Sequence, residues 1–266
     1  MTTIASPHNT RVKALRRLHS KRGRERSGTF LAEGEDLLAA ARRAGRAPIE
    51  GYRLAGSGLG QPGFHDVERD ALAAASALGS GTRVMAVYEQ RWSSPTGPLC
   101  VYLHGVGDPG NVGTVLRSAE AFGASCVALG PGCADPHSPK AVRASMGSIF
   151  TVALARVDDV VELPGGLVAL DAHGEEDLRD VCTGEPAPIS LLVGAEREGL
   201  PAELLGRADR VARIPIRTES LNAAMAATVA LYELARARPG DGSSLHAGTR
   251  AGEGHAGGRT SRVRAS

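Results

Sequence analysis

The sequence predicts an α/β protein made of a small N-terminal unit followed by a larger C-terminal one. Three observations predict it. Short apolar runs alternate with stretches of helical periodicity through both halves of the chain. In the larger half most apolar runs are separated by helices, the connection a parallel sheet requires. Between the halves lies a turn-rich stretch at 93–98, made of Ser93, Ser94, Pro95, Thr96, Gly97 and Pro98. With 266 residues, 42% of them apolar, the chain can bury a real core.

Residues 1–92 form the first unit. Val12, Leu15 and Leu18 have the spacing of an amphipathic helix, so residues 1–27 read as one basic helix and a loop. The other faces carry Arg11, Lys13, Arg16, Arg17, Lys21, Arg22, Arg24 and Arg26, opposed only by Glu25. Such a block is either a solvated face or the footprint of a phosphate-backbone binder. A strand at 29–32 follows, then a Leu/Ala-rich helix that Gly45 stops. A strand at 49–55, a glycine-rich loop, a helix at 67–78 and a strand at 84–88 complete the unit.

In the second unit, strands are expected at 99–104, 126–129, 149–154, 167–170, 189–193 and 211–214, and a last helix at 221–236. The helix between the first two strands is the most informative. Asn111 is a candidate N-cap, and Val112, Val115, Leu116, Ala119 and Phe122 share one face. Arg117 projects away from that face, with Gly113 leaving space one turn before it, and Gly123 ends the helix. The last helix is nearly all alanine in its middle. That suits close packing against a second backbone, either a partner subunit or this chain's own core.

Other features bound the function. Cys100, Cys126, Cys133 and Cys182 form no metal-binding spacing, and Cys100 and Cys126 fall in apolar strands, so neither zinc nor disulfides are expected. No apolar run reaches membrane length and no signal core opens the chain, so a cytoplasmic location is expected. Residues 239–266 are poor in large apolar side chains and read as a disordered tail, in which His246 and His255 are isolated. Aromatics make up only 3%, so nucleic-acid contact would rest on charge and shape more than on stacking.

Gly105, Gly107 and Gly110 spell GxGxxG between a strand and a helix, the placement of a dinucleotide-binding loop. Pro109 stiffens that turn, however, and the next strand ends in no acid to hold a ribose. A nicotinamide-dependent oxidoreductase is therefore a remote alternative. Three other loops follow strands: 171–174, 194–201 and 215–222. Parallel sheets place such loops on one edge, where a small-molecule pocket forms.

With these motifs the chain resembles the TrmH (SpoU) family of RNA ribose 2′-O-methyltransferases, within the SPOUT superfamily. The family's N-x-G-x-x-x-R and A-x-x-F-G pattern matches Asn111, Gly113, Arg117, Ala119, Phe122 and Gly123. Its G-x-E-x-x-G-L matches Gly194, Glu196, Gly199 and Leu200, and its I-P…S-L-N matches Ile214, Pro215, Ser220, Leu221 and Asn222. The stretch KAVRASMG at 140–147 also fits. The resemblance covers residues 99–238. Residues 1–92 more weakly resemble the ribosomal-protein-like RNA-binding domain many members carry.

The resemblance implies a SPOUT domain with a mostly parallel sheet and a deep trefoil knot, S-adenosylmethionine as cofactor, and a homodimer formed through the knotted domain. It implies cofactor contacts at Leu170, Val193, Gly194, Glu196, Gly199, Ile214, Ile216, Leu221 and Asn222. It implies catalytic roles for Arg117, Asn111, Glu196, Ser220 and Asn222. Arg117, which resists deprotonation, would reach the partner's cofactor site either as base or as stabiliser of the forming alkoxide. Arg11, Lys13, Arg16, Arg17, Arg22, Arg143 and Ser145 are candidate RNA contacts. The separate N-terminal domain favours 23S ribosomal RNA as substrate. Transfer RNA, or a non-catalytic RNA-binding assembly factor, are the alternatives.

Overall fold

A computed structural model of the chain describes residues 3–77, 81–181, 188–218 and 220–237; the expected tail at 239–266 and Cys182 lie outside the described residues. The basic N-terminus forms two helices where one helix and a loop are expected. Helix α1 (Thr10–Arg17) is capped by the Asn9 side chain and buries Val12 and Leu15, with Leu18 buried just beyond its end. Helix α2 (Lys21–Ser27) starts at a Ser20 cap and ends on Gly28 in the left-handed region (φ 65°).

Strand β1 (Thr29–Glu33), helix α3 (Glu35–Arg43), strand β2 (Glu50–Leu54), strand β3 (His65–Val67), helix α4 (Arg69–Ala75) and strand β4 (Val84–Glu89) follow. Their sheet has the order β1-β4-β2-β3, antiparallel except for the β2/β3 pair. Strand β3 occupies the start of the segment expected as helix, because Val67 is needed to cover this unit's own small core beside Tyr52 and Leu72.

The larger unit comprises β5 (Leu99–Leu103), α5 (Pro109–Ala121), β6 (Cys126–Leu129), α6 (Pro139–Ala144), β7 (Ala153–Arg156), β8 (Gly166–Leu170), β9 (Glu176–Asp177), α7 (Leu178–Val181), β10 (Ile189–Val193), α8 (Ala202–Leu205), β11 (Arg210–Arg213) and α9 (Ala223–Ala237). Seven strands form one parallel sheet in the order β7-β6-β5-β10-β8-β11-β9. The strand expected at 149–154 begins later than predicted. Ser148–Phe150 is a 3₁₀ turn that buries Ile149 and Phe150 beside α5 and α3, and β7 starts at Ala153. Cys100 and Cys126 face each other in the β5/β6 register as buried core thiols. The alanines of α9 are also core: Ala223, Ala224, Ala227 and Ala230 are buried with Leu231 and Leu234. The helix instead presents Met225, Val229 and Tyr232 to solvent, spaced as one face.

The two sheets share one apolar core, which runs from Phe30, Ala32, Leu37 and Ala40 into β5, α5 and β6. Gly147 (φ 105°) lets α3 approach so closely that a Cβ there would lie 2.3 Å from that of Ala40. One ion pair is sealed at this junction. Arg24, only 3% exposed, meets Asp135 at 2.7 Å and donates from Nη1 to the carbonyls of Leu18 and His19. Arg24 thus leaves the expected solvated set. Among the described residues no helix is long and apolar enough to cross a membrane, and no cluster of three or more His, Cys, Asp or Glu forms a metal site.

His137 is buried at the same junction, between the rings of Phe30 and Trp92. Burial pushes its pKa down to about 4; Asp135 opposes this, and Arg24, Arg156 and Arg46 add to it. The unfolded chain takes up this proton near 6.5, so between pH 6.5 and 4 the unfolded state holds more protons and stability falls as pH falls. The shift corresponds to a loss on the order of 3 kcal/mol across that window. Urea unfolding at stepped pH should show this slope, and His137→Phe should flatten it. An identical slope in the variant would assign the acid sensitivity to other groups.

Candidate functional site

Strands β10, β8 and β11 lie side by side and parallel, so the loops that leave their carboxyl ends gather on one edge of the sheet. This is where parallel sheets bind ligands. The β10 loop doubles back sharply. The Gly199 N–H donates to the Ala195 carbonyl at 2.9 Å, and Gly199 sits at φ 65°. A Cβ on Gly194 would lie 2.2 Å from the Gly199 carbonyl carbon, so only glycine permits this fold of the loop.

The three loops enclose a cavity of about 310 Å³. Of the nine sequence-predicted cofactor residues, Leu170, Val193, Gly194, Glu196, Gly199, Ile214, Ile216 and Leu221 line it, as does Ser220; Asn222 does not. Asp171, His173, Arg197 and Glu198 also line it, although none was picked out as a ligand residue. Asp171 shapes its loop, since Oδ1 accepts from the His173 N–H at 2.8 Å. The sequence marked these loops as unusual but offered no way to rank the polar residues within them.

A polar cluster ties three elements together beside this cavity. Asn111 of α5 donates from Nδ2 to Glu196 Oε1, and Asn222 donates from Nδ2 to both Glu196 Oε1 and Asn111 Oδ1, at 3.2 Å each. Asn222 Oδ1 also accepts from the N–H groups of Ala224 and Met225, so the same side chain caps α9. One carboxylate oxygen is therefore held by two amides from distant parts of the chain, which fixes the β10 loop against both helices.

Two expectations about the central helix change, and one about the end of α6. Asn111 is not the N-cap: Asp108 is, accepting from the Asn111 N–H at 3.0 Å, with Pro109 at the first turn. The Asn111 side chain is thereby released for the cluster. Gly113 does not leave open space. A Cβ there would lie 2.3 Å from the Ala141 carbonyl oxygen, so the glycine lets α6 cross α5 at close range. Ser145 cannot grip RNA, because it is fully buried, donating to the Val142 carbonyl at 2.7 Å and accepting from the Gly147 N–H.

Arg117 is exposed and forms no ion pair or hydrogen bond with the other described residues. It lines neither the cavity nor the polar cluster. Arg143 is exposed, and so are Lys13, Arg16, Arg17 and Arg22; Arg11 is partly engaged, with Glu50 at 3.3 Å and His65 at 2.8 Å. A second concavity of about 640 Å³ is bounded by His19, Ser76, Ala77, Pro109, Ser138, Pro139, Lys140 and Arg143. It joins the basic N-terminal unit to the start of α5. Lys140 sits on its wall, 2.6 Å from Asp108, and that contact holds the Asp108 carboxyl below the usual carboxylate range.

The chain is similar in sequence and fold to known proteins. The model of the SpoU rRNA Methylase family matches residues 98–232, and that of the MRM3-like substrate binding domain matches residues 9–61. The 23S rRNA (guanosine(2553)-2′-O)-methyltransferase RlmP of Bacillus subtilis is 31% identical over 88% of this chain and 99% of its own. The crystal structure of an AdoMet-bound rRNA methyltransferase from Sinorhizobium meliloti superposes with a TM-score of 0.78 at 32% identity, covering 88% of this chain and 97% of that one. The SpoU methyltransferase AviRb of Streptomyces viridochromogenes, in complex with AdoMet, gives 0.76 at 28% identity over 86% and 98%.

Proposed function

Because the chain belongs to the SpoU rRNA Methylase family, we propose that it uses S-adenosylmethionine to methylate a ribose 2′-hydroxyl of 23S ribosomal RNA. The observation that carries this reading is the Asn111–Glu196–Asn222 cluster, set beside a cavity at the carboxyl ends of β8, β10 and β11. RlmP, named for the same chemistry on 23S rRNA, is related over nearly its whole length.

The cavity suits the cofactor. Leu170, Val193, Ile214, Ile216 and Leu221 give it apolar walls for a purine, and the folded-back glycine loop exposes backbone groups to hold polar ends. When bound there, S-adenosylmethionine supplies an electrophilic methyl group on a sulfonium. The chain must then align the ribose and ease loss of its hydroxyl proton. Glu196, held by two amides, keeps the β10 loop in one shape, and Ser220 lies on the cavity wall for the ribose. Arg117 holds the neighbouring phosphate and stabilises the alkoxide as it forms.

Arg117 does not line its own chain's cavity, and we take its target to be the cavity of a second subunit. The exposed stripe of Met225, Val229 and Tyr232 on α9 supports a homodimer, since Tyr232 packs on Phe122 at the end of the helix that carries Arg117. The deep trefoil knot that the family resemblance implies belongs to this reading of the larger unit. Residues 1–92 act as the RNA-binding unit, 93–98 as linker, 99–238 as the methyltransferase domain and 239–266 as a tail. RNA runs from the exposed faces of α1 and α2 through the concavity at Lys140 and Arg143 to α5. The protein works in the cytoplasm.

Incubating the protein with methyl-labelled S-adenosylmethionine and either 23S rRNA or transfer RNA, then mapping alkali-resistant ribose positions, tests this. One labelled ribose in 23S rRNA is expected. Label on a base, or only in transfer RNA, would overturn it.

A further inference from the structure

A third cavity, of about 350 Å³, lies at the junction of the two sheets and belongs to neither the cofactor loops nor the polar cluster. Phe30, Phe150 and Trp92 wall it, and His137, Arg46 and Arg91 complete it. The Arg156 guanidinium stacks 4.1 Å from the centre of the Trp92 ring and fixes the indole in place. His137 is 2% exposed, yet its Nδ1 has no hydrogen-bond partner; the nearest carboxylate oxygen, Asp135 Oδ1, stands 3.7 Å away. It is the one buried side-chain polar atom left unsatisfied among the described residues, and native proteins rarely leave such an atom without a reason.

The charges at this cavity are one-sided. Arg46 and Arg91 line it and Arg156 stacks on Trp92; the Glu89 carboxylate stands 3.9 Å from Arg91, and its backbone carbonyl accepts from Arg46 Nη2 at 2.9 Å. Arg46 feels the crowding: burial and the neighbouring Arg91 lower its pKa from the ordinary arginine value. The Asp135 carboxylate is already committed to Arg24. The site therefore combines aromatic walls, a buried imidazole and an excess of guanidinium groups. That combination suits a planar heteroaromatic ring carrying a phosphate.

We propose that this interdomain cavity binds a nucleotide, with its base against Trp92, Phe150 and His137 and its phosphate on Arg46 and Arg91. The source is either one unstacked nucleotide of the RNA substrate or a free nucleotide. The first source rests on the RNA-methyltransferase reading; the second does not. A nucleotide held here would engage both units of the chain at once, so the cavity would set how the RNA-binding unit sits over the methyltransferase domain.

Trp92 is the single tryptophan of the chain, so its fluorescence reports on this cavity alone. The full chain is titrated separately with guanosine 5′-monophosphate, a short single-stranded RNA, inorganic phosphate and S-adenosylhomocysteine. Saturable quenching by both the mononucleotide and the RNA supports the proposal with RNA as the source. Quenching by the mononucleotide alone supports it with a free nucleotide as the source. Arg91→Gln, at an exposed position, should weaken the mononucleotide roughly tenfold, as loss of one charge-assisted hydrogen bond implies. No quenching by either nucleotide, equal quenching by phosphate alone, or the same change with S-adenosylhomocysteine would overturn it. Methyl transfer is measured on the same samples. Transfer without quenching defeats this inference alone, and quenching without transfer defeats only the enzymatic reading.

Discussion

Arg117→Ala should leave S-adenosylhomocysteine binding intact and lower methyl transfer roughly 10²–10³-fold, the usual cost of removing one preorganised stabiliser of transition-state charge. The separation follows from position. Arg117 is exposed and does not line its own chain's cavity, and in the proposed dimer it acts on the RNA ribose and phosphate at the partner's site, so its removal should not touch cofactor affinity. The stronger form of the test mixes subunits. Gly194→Val would drive a side chain into the Gly199 backbone and collapse the β10 loop, giving a subunit with Arg117 but no cofactor site. Each variant alone should be inactive. Refolded together, they should recover about a quarter of wild-type activity, because half the dimers are mixed and each has one complete site. Full activity in Arg117→Ala would remove the arginine from the mechanism. Two inactive variants that never complement would place Arg117 in its own subunit's site and undo the dimer argument.

The sequence displayed the parallel sheet and the three loops well, because both rest on short-range patterns: apolar runs, glycines and the prolines that follow. The polar cluster was legible in composition but not in connection. Asn111 looked like a helix cap, and nothing local assigned it to Glu196, 85 residues away. A better local signal did exist: Asp108 followed by Pro109 is the stronger helix start, and it would have freed Asn111 for another task. Ser145 and Gly113 were misplaced for a different reason. Their surroundings come from α6 crossing α5, and a crossing between helices leaves no periodic trace in either one. Strand β3 is only three residues long and pairs along one edge, too short to show an alternating pattern. Arg24 was hidden most completely, as one of eight basic residues in a run.

Arg24→Ala should destabilise the protein by about 3–5 kcal/mol, far more than loss of any of its basic neighbours. The reason is what the arginine leaves behind. Asp135 is 11% exposed, and Arg24 is the cation it meets, through both Nε and Nη2. The carbonyls of Leu18 and His19 also lose the donor that satisfies them at the end of α1. By contrast Lys13, Arg16 and Arg17 are exposed, and their replacement by alanine should change stability by less than about 0.5 kcal/mol. Urea unfolding measures both sets. A second variant separates the stranded charge from lost packing: Arg24→Met with Asp135→Asn removes both charges and keeps an acceptor for the backbone N–H of His137, which Asp135 Oδ1 now holds at 2.9 Å. The double variant should recover a large part of the loss, since a buried ion pair is costly mainly when only half of it is removed. If it stays as unstable as Arg24→Ala, the arginine acts through its backbone contacts at α1 and not through Asp135. Either result locates what joins the basic helices to the larger unit. The prediction fails if Arg24→Ala is no less stable than Arg16→Ala, because the ion pair would then contribute nothing to that junction.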